Sequence, residues 1–389
     1  MKLKLTTGAL LLMTTTAAHA VGLDRSNQDV GAIFEDGNYV ELSFGAISPD
    51  ISGEDVIPLT PAGNAEYDSV ADDFYQFGAS VTYRFNDQIA VALIYDQPYG
   101  ADVDYPGSGA ATLLGGTRAE LNSDALTALV RYEFDDNWSV HGGVVVERID
   151  GSVSLSGQAY GPILPPGDPR TLNGYNVELD ESTGTGFVIG SAYERPDIAL
   201  RVALTYRSGV EHEFGTVETV NGVQVSAPGA VTTVDTPETF NLDFQTGVAP
   251  GTLVFGQIRY ALYGDVKLSP TFFDAASEPG VDGSSLVNID DGFSYSIGVG
   301  RQFTDAFSGS IAIGYEPEDD DDQVSPLAPT NGNTSISLGG QYEFGDIVLA
   351  GGVRYTAFND ARPETADTAR ANFDDNSAVS LGLRVGYNF

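Results

Sequence analysis

The chain closes with Asn376-Ser377-Ala378-Val379-Ser380-Leu381-Gly382-Leu383-Arg384-Val385-Gly386-Tyr387-Asn388-Phe389. From Val379 onward every second residue is a large apolar one, Val379, Leu381, Leu383, Val385, Tyr387 and Phe389. The residues between them, Ser380, Gly382, Arg384, Gly386 and Asn388, are small or polar. Successive side chains of a strand point to opposite faces, so this pattern gives one oily face and one wet face. An arginine on the wet face and an aromatic end on the oily face suit a strand standing between lipid and an aqueous lumen.

Working back from the end, the same grammar recurs. Over residues 197–208, Ile198, Leu200, Val202, Leu204 and Tyr206 share one parity, while Arg201, Thr205 and Arg207 share the other with Ala199 and Ala203. Tight polar turns flanked by aromatics follow, as in Tyr83-Arg84-Phe85-Asn86-Asp87, Tyr132-Glu133-Phe134-Asp135-Asp136-Asn137-Trp138 and Tyr342-Glu343-Phe344-Gly345-Asp346. These are hairpin signals. They predict fourteen strands, at 39–47, 72–85, 88–96, 118–134, 137–150, 172–194, 197–208, 237–248, 251–264, 291–303, 306–316, 333–344, 346–358 and 376–389. Short turns and long connections alternate strictly, which a soluble sandwich has no reason to do. The fold class expected is all-β, a transmembrane antiparallel barrel, which also leaves no exposed sheet edge.

Composition agrees. The 389 residues carry no cysteine, 46 glycines and a net charge of -37. Disulfide and thiolate-metal scaffolds are excluded, and nucleic acid, which needs a basic face, is not a partner. No run of about 18 apolar residues offers a spanning helix. At the N-terminus, Met1-Lys2-Leu3-Lys4, the apolar Leu5 to Met13 and Ala18-His19-Ala20 read as a signal peptide over residues 1–20. A short segment, 21–38, then precedes the barrel, 39–389. A terminal aromatic on the oily face resembles the assembly signal of bacterial outer-membrane barrels, implying the barrel-assembly machinery and outer-membrane lipid as partners.

Particular stretches go further: Phe44-Gly45-Ala46-Ile47-Ser48-Pro49-Asp50-Ile51-Ser52-Gly53, Tyr95-Asp96-Gln97-Pro98-Tyr99-Gly100, Val146-Glu147-Arg148-Ile149-Asp150-Gly151-Ser152-Val153-Ser154-Leu155-Ser156-Gly157 and Leu204-Thr205-Tyr206-Arg207-Ser208. In order and spacing they resemble the FadL-type outer-membrane transporters of long-chain fatty acids and other hydrophobic molecules. That resemblance implies passive uptake, an N-terminal hatch inside the barrel, and a kinked third strand that opens the wall sideways to the bilayer. The segment 21–38 is shorter than the family's hatch and lacks its Asn-Pro-Ala stretch.

Pro98 and Gly100 interrupt an alternating strand, where proline removes a ladder donor. They are candidates for a lateral gate, with Tyr95 and Tyr99 beside them as path-lining or girdle aromatics and Arg207 as a headgroup partner. By parity Arg84, Arg131, Arg201, Arg259, Arg354 and Arg384 face inward with Glu133 and Glu147, forming an expected lumenal charge network. The run Glu318-Asp319-Asp320-Asp321-Asp322 is the densest acid cluster; it reads as a solvated surface or as a site where calcium bridges carboxylates to lipopolysaccharide phosphates. No other cofactor is expected. The acid-rich outer loops, with only Arg170, Lys267, Arg362 and Arg370 in opposition, repel an anionic fatty acid at distances up to about 8 Å.

An enzyme is not expected. His141 and His212 are the histidines beyond the signal peptide, no G-x-S-x-G elbow is present, and no histidine cluster has ligand spacing. His212 reads as a solvated loop residue. A general diffusion porin for small polar solutes and an adhesin-like structural barrel are the competing classes. A porin predicts a clear polar lumen, a transporter a blocked one with an apolar pocket.

Overall fold

The computed structural model describes residues 23–59, 64–165, 168, 170–277, 283–318 and 322–389, so the signal peptide expected at 1–20 lies outside the described residues. Fourteen antiparallel strands form a closed barrel. They are β1 (Tyr39–Asp50), β2 (Phe74–Arg84), β3 in two pieces (Ile89–Asp96 and Gly100–Asp104), β4 (Arg118–Glu133), β5 (Trp138–Leu155) and β6 (Tyr175–Arg195). Next come β7 in two pieces (Leu200–Arg207 and Glu211–Val220), β8 in two pieces (Val231–Asp235 and Glu238–Ala249), β9 (Thr252–Leu262) and β10 (Gly292–Gln302). β11 (Phe307–Glu316), β12 (Asn331–Phe344), β13 (Ile347–Asn359) and β14 (Ser377–Asn388) complete the wall. β1 and β14 close it, in register from Tyr39↔Asn388 to Asp50↔Ser377.

Alternation along each strand positions everything else. On β14, Leu381, Leu383 and Val385 are exposed to the outside, whereas Ala378, Ser380 and Arg384 are buried toward the lumen. Outward aromatics pair at the short-turn end, Tyr83 on Phe85, Tyr132 on Phe134, Trp138 on Tyr193 and Tyr387 on Phe389. That ring of rings is the girdle of a membrane barrel. The short turn after β12 needs Gly345, whose φ of +63° admits glycine at no steric cost.

At the other end the structure departs from the sequence reading. Residues 209–236, expected as a loop, carry the second pieces of β7 and the first of β8, paired from Glu211↔Asp235 to Gly215↔Val231. The buried-exposed alternation resumes after Ser208, and pairing satisfies backbone groups that a long loop would leave open. Ile198 and Ala199 likewise sit in a turn, with Ala199 left-handed, so β7 begins at Leu200. The outer connections pack into a cap of their own around Tyr67, Tyr105, Leu114, Tyr175, Val220 and Phe373. Asp55 pins that cap, accepting the Tyr67 hydroxyl at 2.5 Å and the Leu113 N–H at 3.0 Å. Burial still pushes its carboxyl above the ordinary value.

Candidate functional site

β3 is where the wall is irregular. Its lower piece pairs with β2 only from Arg84↔Ala90 to Ala79↔Tyr95, while its upper piece pairs with β4 from Gly100↔Asn122 to Asp104↔Arg118. No strand pairing joins β2 to Gly100–Asp104 among the described residues. Gln97, Pro98 and Tyr99 make the break, and their backbone groups must be satisfied some other way. The N-terminal segment supplies part of the answer. Arg25 N–H donates to the Pro98 carbonyl at 2.7 Å, Gly100 N–H donates to the Leu23 carbonyl at 3.0 Å, and Asp24 bridges Tyr99. Ser123 on β4 receives the Tyr99 N–H and donates to the Tyr99 carbonyl, both at 2.7 Å. Across the break, Phe77 N–H donates to Gln97 Oε1 at 2.9 Å. A side chain on Gly100 would meet the Arg25 guanidinium at 2.3 Å, so glycine lets the segment close on the strand.

Beyond Arg25 the segment runs inside the barrel. The fully buried Arg259 holds Asp24 at 2.7 Å and donates to the Asn27 carbonyl and Asn241. Gln28 donates to the Tyr99 hydroxyl at 2.6 Å and accepts from Thr239. Phe34 lies between the guanidinium groups of Arg131 and Arg201, each 4.7 Å from its ring centre, with His141 edge-on. The contacts to Thr239 and Arg259 reach residues more than 200 positions away, which explains why parity alone could not reveal them.

The expected lumenal network is divided among several local groups. Arg84 bonds Glu133, and Arg131 bonds Glu133 and Glu194. Arg384 bonds Glu41 at 3.3 Å, and Arg354 donates to Ser337. Arg207 pairs with the fully buried Glu147 at 3.1 Å, and His212 holds the other oxygen of that carboxylate at 3.3 Å. His212 is therefore no solvated loop residue: it is 1% exposed because β7 resumes and turns it inward. Tyr95 faces outward and bonds Asp124, whereas Pro98 and Tyr99 are buried on the inner side. Among the acid run, Asp322 pairs with Arg362, and Asp319, Asp320 and Asp321 fall outside the described residues.

Two cavities flank the break. An outer one of about 100 Å³ is bounded by Leu23, Tyr99, Phe214, Tyr263, Leu268 and Val287 and is almost wholly apolar. A second, of about 120 Å³, is lined by outward Phe44 and Phe77 together with inward Gln76, Glu35 and Asp96, so it has walls on both faces of the barrel.

A family model for outer membrane protein transport proteins (OMPP1/FadL/TodX) matches residues 36–389. The chain belongs to this family. Its barrel also superposes on solved members at low identity: a Pseudomonas aeruginosa FadL homologue (TM-score 0.70, 14% identity, 96% of each chain) and the Pseudomonas putida toluene transporter TodX (TM-score 0.63, 14% identity, 95% of this chain and 97% of that one). The monoaromatic hydrocarbon channel CymD aligns at TM-score 0.60 and 12% identity over 96% of this chain and 99% of its own. No curated protein matches the sequence. FadL-family membership and the closed barrel make this a transport protein of the bacterial outer membrane for hydrophobic molecules.

Proposed function

We propose that the barrel takes up compact hydrophobic molecules passively, receiving them in the outer apolar cavity and releasing them sideways into the bilayer between β2 and β3, with residues 21–38 as the hatch. The observation that carries this reading is the cavity with walls on both faces of the barrel, at the place where the β2–β3 ladder stops. Open sheet edges do not face lipid unless something covers them; Phe44, Tyr75 and Phe77 stack outside this one. The outer cavity is of the same order as the roughly 150 Å³ apolar void that holds a benzene ring, so one ring or a short chain segment is its natural guest.

A porin would need an open polar lumen. The N-terminal segment, tied to β2, β3, β8 and β9, favours the transporter. Arg207 is bound to Glu147, which argues against its serving a fatty-acid headgroup.

The chain has no cysteine, so a single introduced thiol tests the route. Gln97→Cys, modified with a bulky disulfide-forming reagent, is expected to lose uptake of a monoaromatic hydrocarbon and to regain it on reduction. Unchanged uptake after modification, at equal surface expression, rules out the lateral path.

A further inference from the structure

The two cavities differ in chemistry in a way that bears on the choice of guest. Resting on the lateral route proposed above, we infer that the wall gap selects uncharged hydrophobic molecules bearing a hydroxyl donor, such as phenols and alcohols, over hydrocarbons and carboxylates of equal size.

Gln76 stands on β2 just beyond the end of its ladder with β3. Its side chain is 5% exposed, lines the gap, and its Oε1 has no hydrogen-bond partner. Across from it, Asp96 ends the lower piece of β3. One of its oxygens accepts the Ser26 hydroxyl at 2.5 Å, and the other, Oδ1, is buried without a partner. Asp29 and Glu35 line the same space, and Arg384, its one cation, is engaged by Glu41. The gap thus presents two buried acceptor oxygens, on Gln76 and Asp96, that no donor fills, in a lining where acidic side chains outnumber the single cation.

A buried acceptor left without a donor is costly, and the cost is relieved when a guest brings one. A hydroxyl passing through the gap does so, whereas a hydrocarbon leaves both oxygens bare. A carboxylate must shed its water beside three acidic side chains, Asp29, Glu35 and Asp96, where the one cation is already engaged by Glu41. An ammonium group is stopped earlier, because stripping water from a charge inside the outer apolar cavity has no compensation there. Sites built to bond a hydroxyl discriminate strongly against analogues without one.

The test compares p-cresol, toluene and 4-methylbenzoate, three guests built on one ring. Initial uptake is measured in cells displaying the wild type or Gln76→Leu at equal surface density, with cells lacking the barrel as baseline. The expected result is a several-fold preference for p-cresol over toluene in the wild type, no gain for the benzoate, and a smaller p-cresol/toluene ratio in Gln76→Leu, where Asp96 Oδ1 is the acceptor that remains. Equal acceleration of p-cresol and toluene by the wild type, or a ratio unchanged by Gln76→Leu, overturns the hydroxyl selectivity and leaves transport standing. If Gln76→Leu does not reach the surface, the wild-type ratio alone decides. Failure of all three to exceed baseline overturns the transport reading, and the selectivity with it.

Discussion

β14 and β3 are built from similar alternating sequence and end as opposite kinds of wall. β14 is paired along its length on both sides, from Tyr39↔Asn388 to Asp50↔Ser377 and from Ile347↔Tyr387 to Ala357↔Ser377. β3 loses β2 after Ala79↔Tyr95 and restarts at Gly100 against β4, with β2 replaced on its other edge by Leu23 and, through the bridge Ala71↔Val103, by residues 70–72. In a bilayer an unpaired backbone group has no water to turn to, so an interruption persists only where other groups take over the missing bonds. Here Leu23, Arg25, Ser123 and Gln97 do that work. A regular strand needs its neighbours; an interrupted one needs main-chain groups of a remote segment and nearby side chains together, and that is where a path can be shaped.

The contrast breaks first at Asp24, the anchor of the segment that covers the interruption. Asp24→Ala leaves Arg259 buried without its carboxylate, and losing one partner of a buried pair costs about 3–5 kcal/mol. Urea unfolding in bilayers is expected to show a lower midpoint, and planar-bilayer recordings larger currents as the segment loosens. Asp24→Ala combined with Arg259→Leu should recover much of the midpoint, because the orphaned charge is gone; no recovery would mean that the pair is not what anchors the segment. Next in size is the regular wall itself. Leu383→Arg puts a cation on the lipid face midway along β14, at a cost of about 2–4 kcal/mol near the midplane. The fraction of heat-modifiable, folded barrel on a gel should fall sharply.

How much of this could be read from the chain follows the same division. β14 was fully legible, because Val379 to Phe389 carry their environment in a period of two. The interruption of β3 was legible too, since Pro98 cannot donate to a ladder and Gly100 weakens one. What covers the interruption was not. Asp24 finds Arg259 and Gln28 finds Thr239 across more than 200 residues, and no local pattern encodes such pairs. His212 escapes the local pattern for a related reason. Ser208, Gly209 and Val210 break the alternation, and only the pairing of 211–215 with 231–235 reveals that the strand continues and buries the ring. The acceptors of the gap, Gln76 and Asp96, lie on correct parity for a lumen, but their want of donors appears only in three dimensions.

One hydroxyl sharpens the comparison at the interruption. Ser123→Ala removes the group that both accepts from Tyr99 N–H and donates to its carbonyl, leaving two buried backbone groups unpaired. A loss of about 1–3 kcal/mol is expected for such a group, read as a lower unfolding midpoint with faster hydrogen exchange confined to residues 97–101. Uniform loss of protection around the barrel would show that Ser123 supports the wall in general rather than the break.

The same substitution on β14 should do almost nothing. Ser380 is 3% exposed and sits on the lumenal face, as buried as Ser123, yet its hydroxyl has no hydrogen-bond partner. Its backbone is held by β1 and β13, through Ile47↔Ser380 and Arg354↔Ser380. Ser380→Ala therefore deletes a desolvated polar group and no bond, a change that ranges from neutral to slightly stabilising. The expected unfolding midpoint equals that of the wild type or exceeds it slightly. If Ser380→Ala lost as much stability as Ser123→Ala, burial rather than partnership would be setting the cost, and the distinction between the two strands would fail at its finest scale.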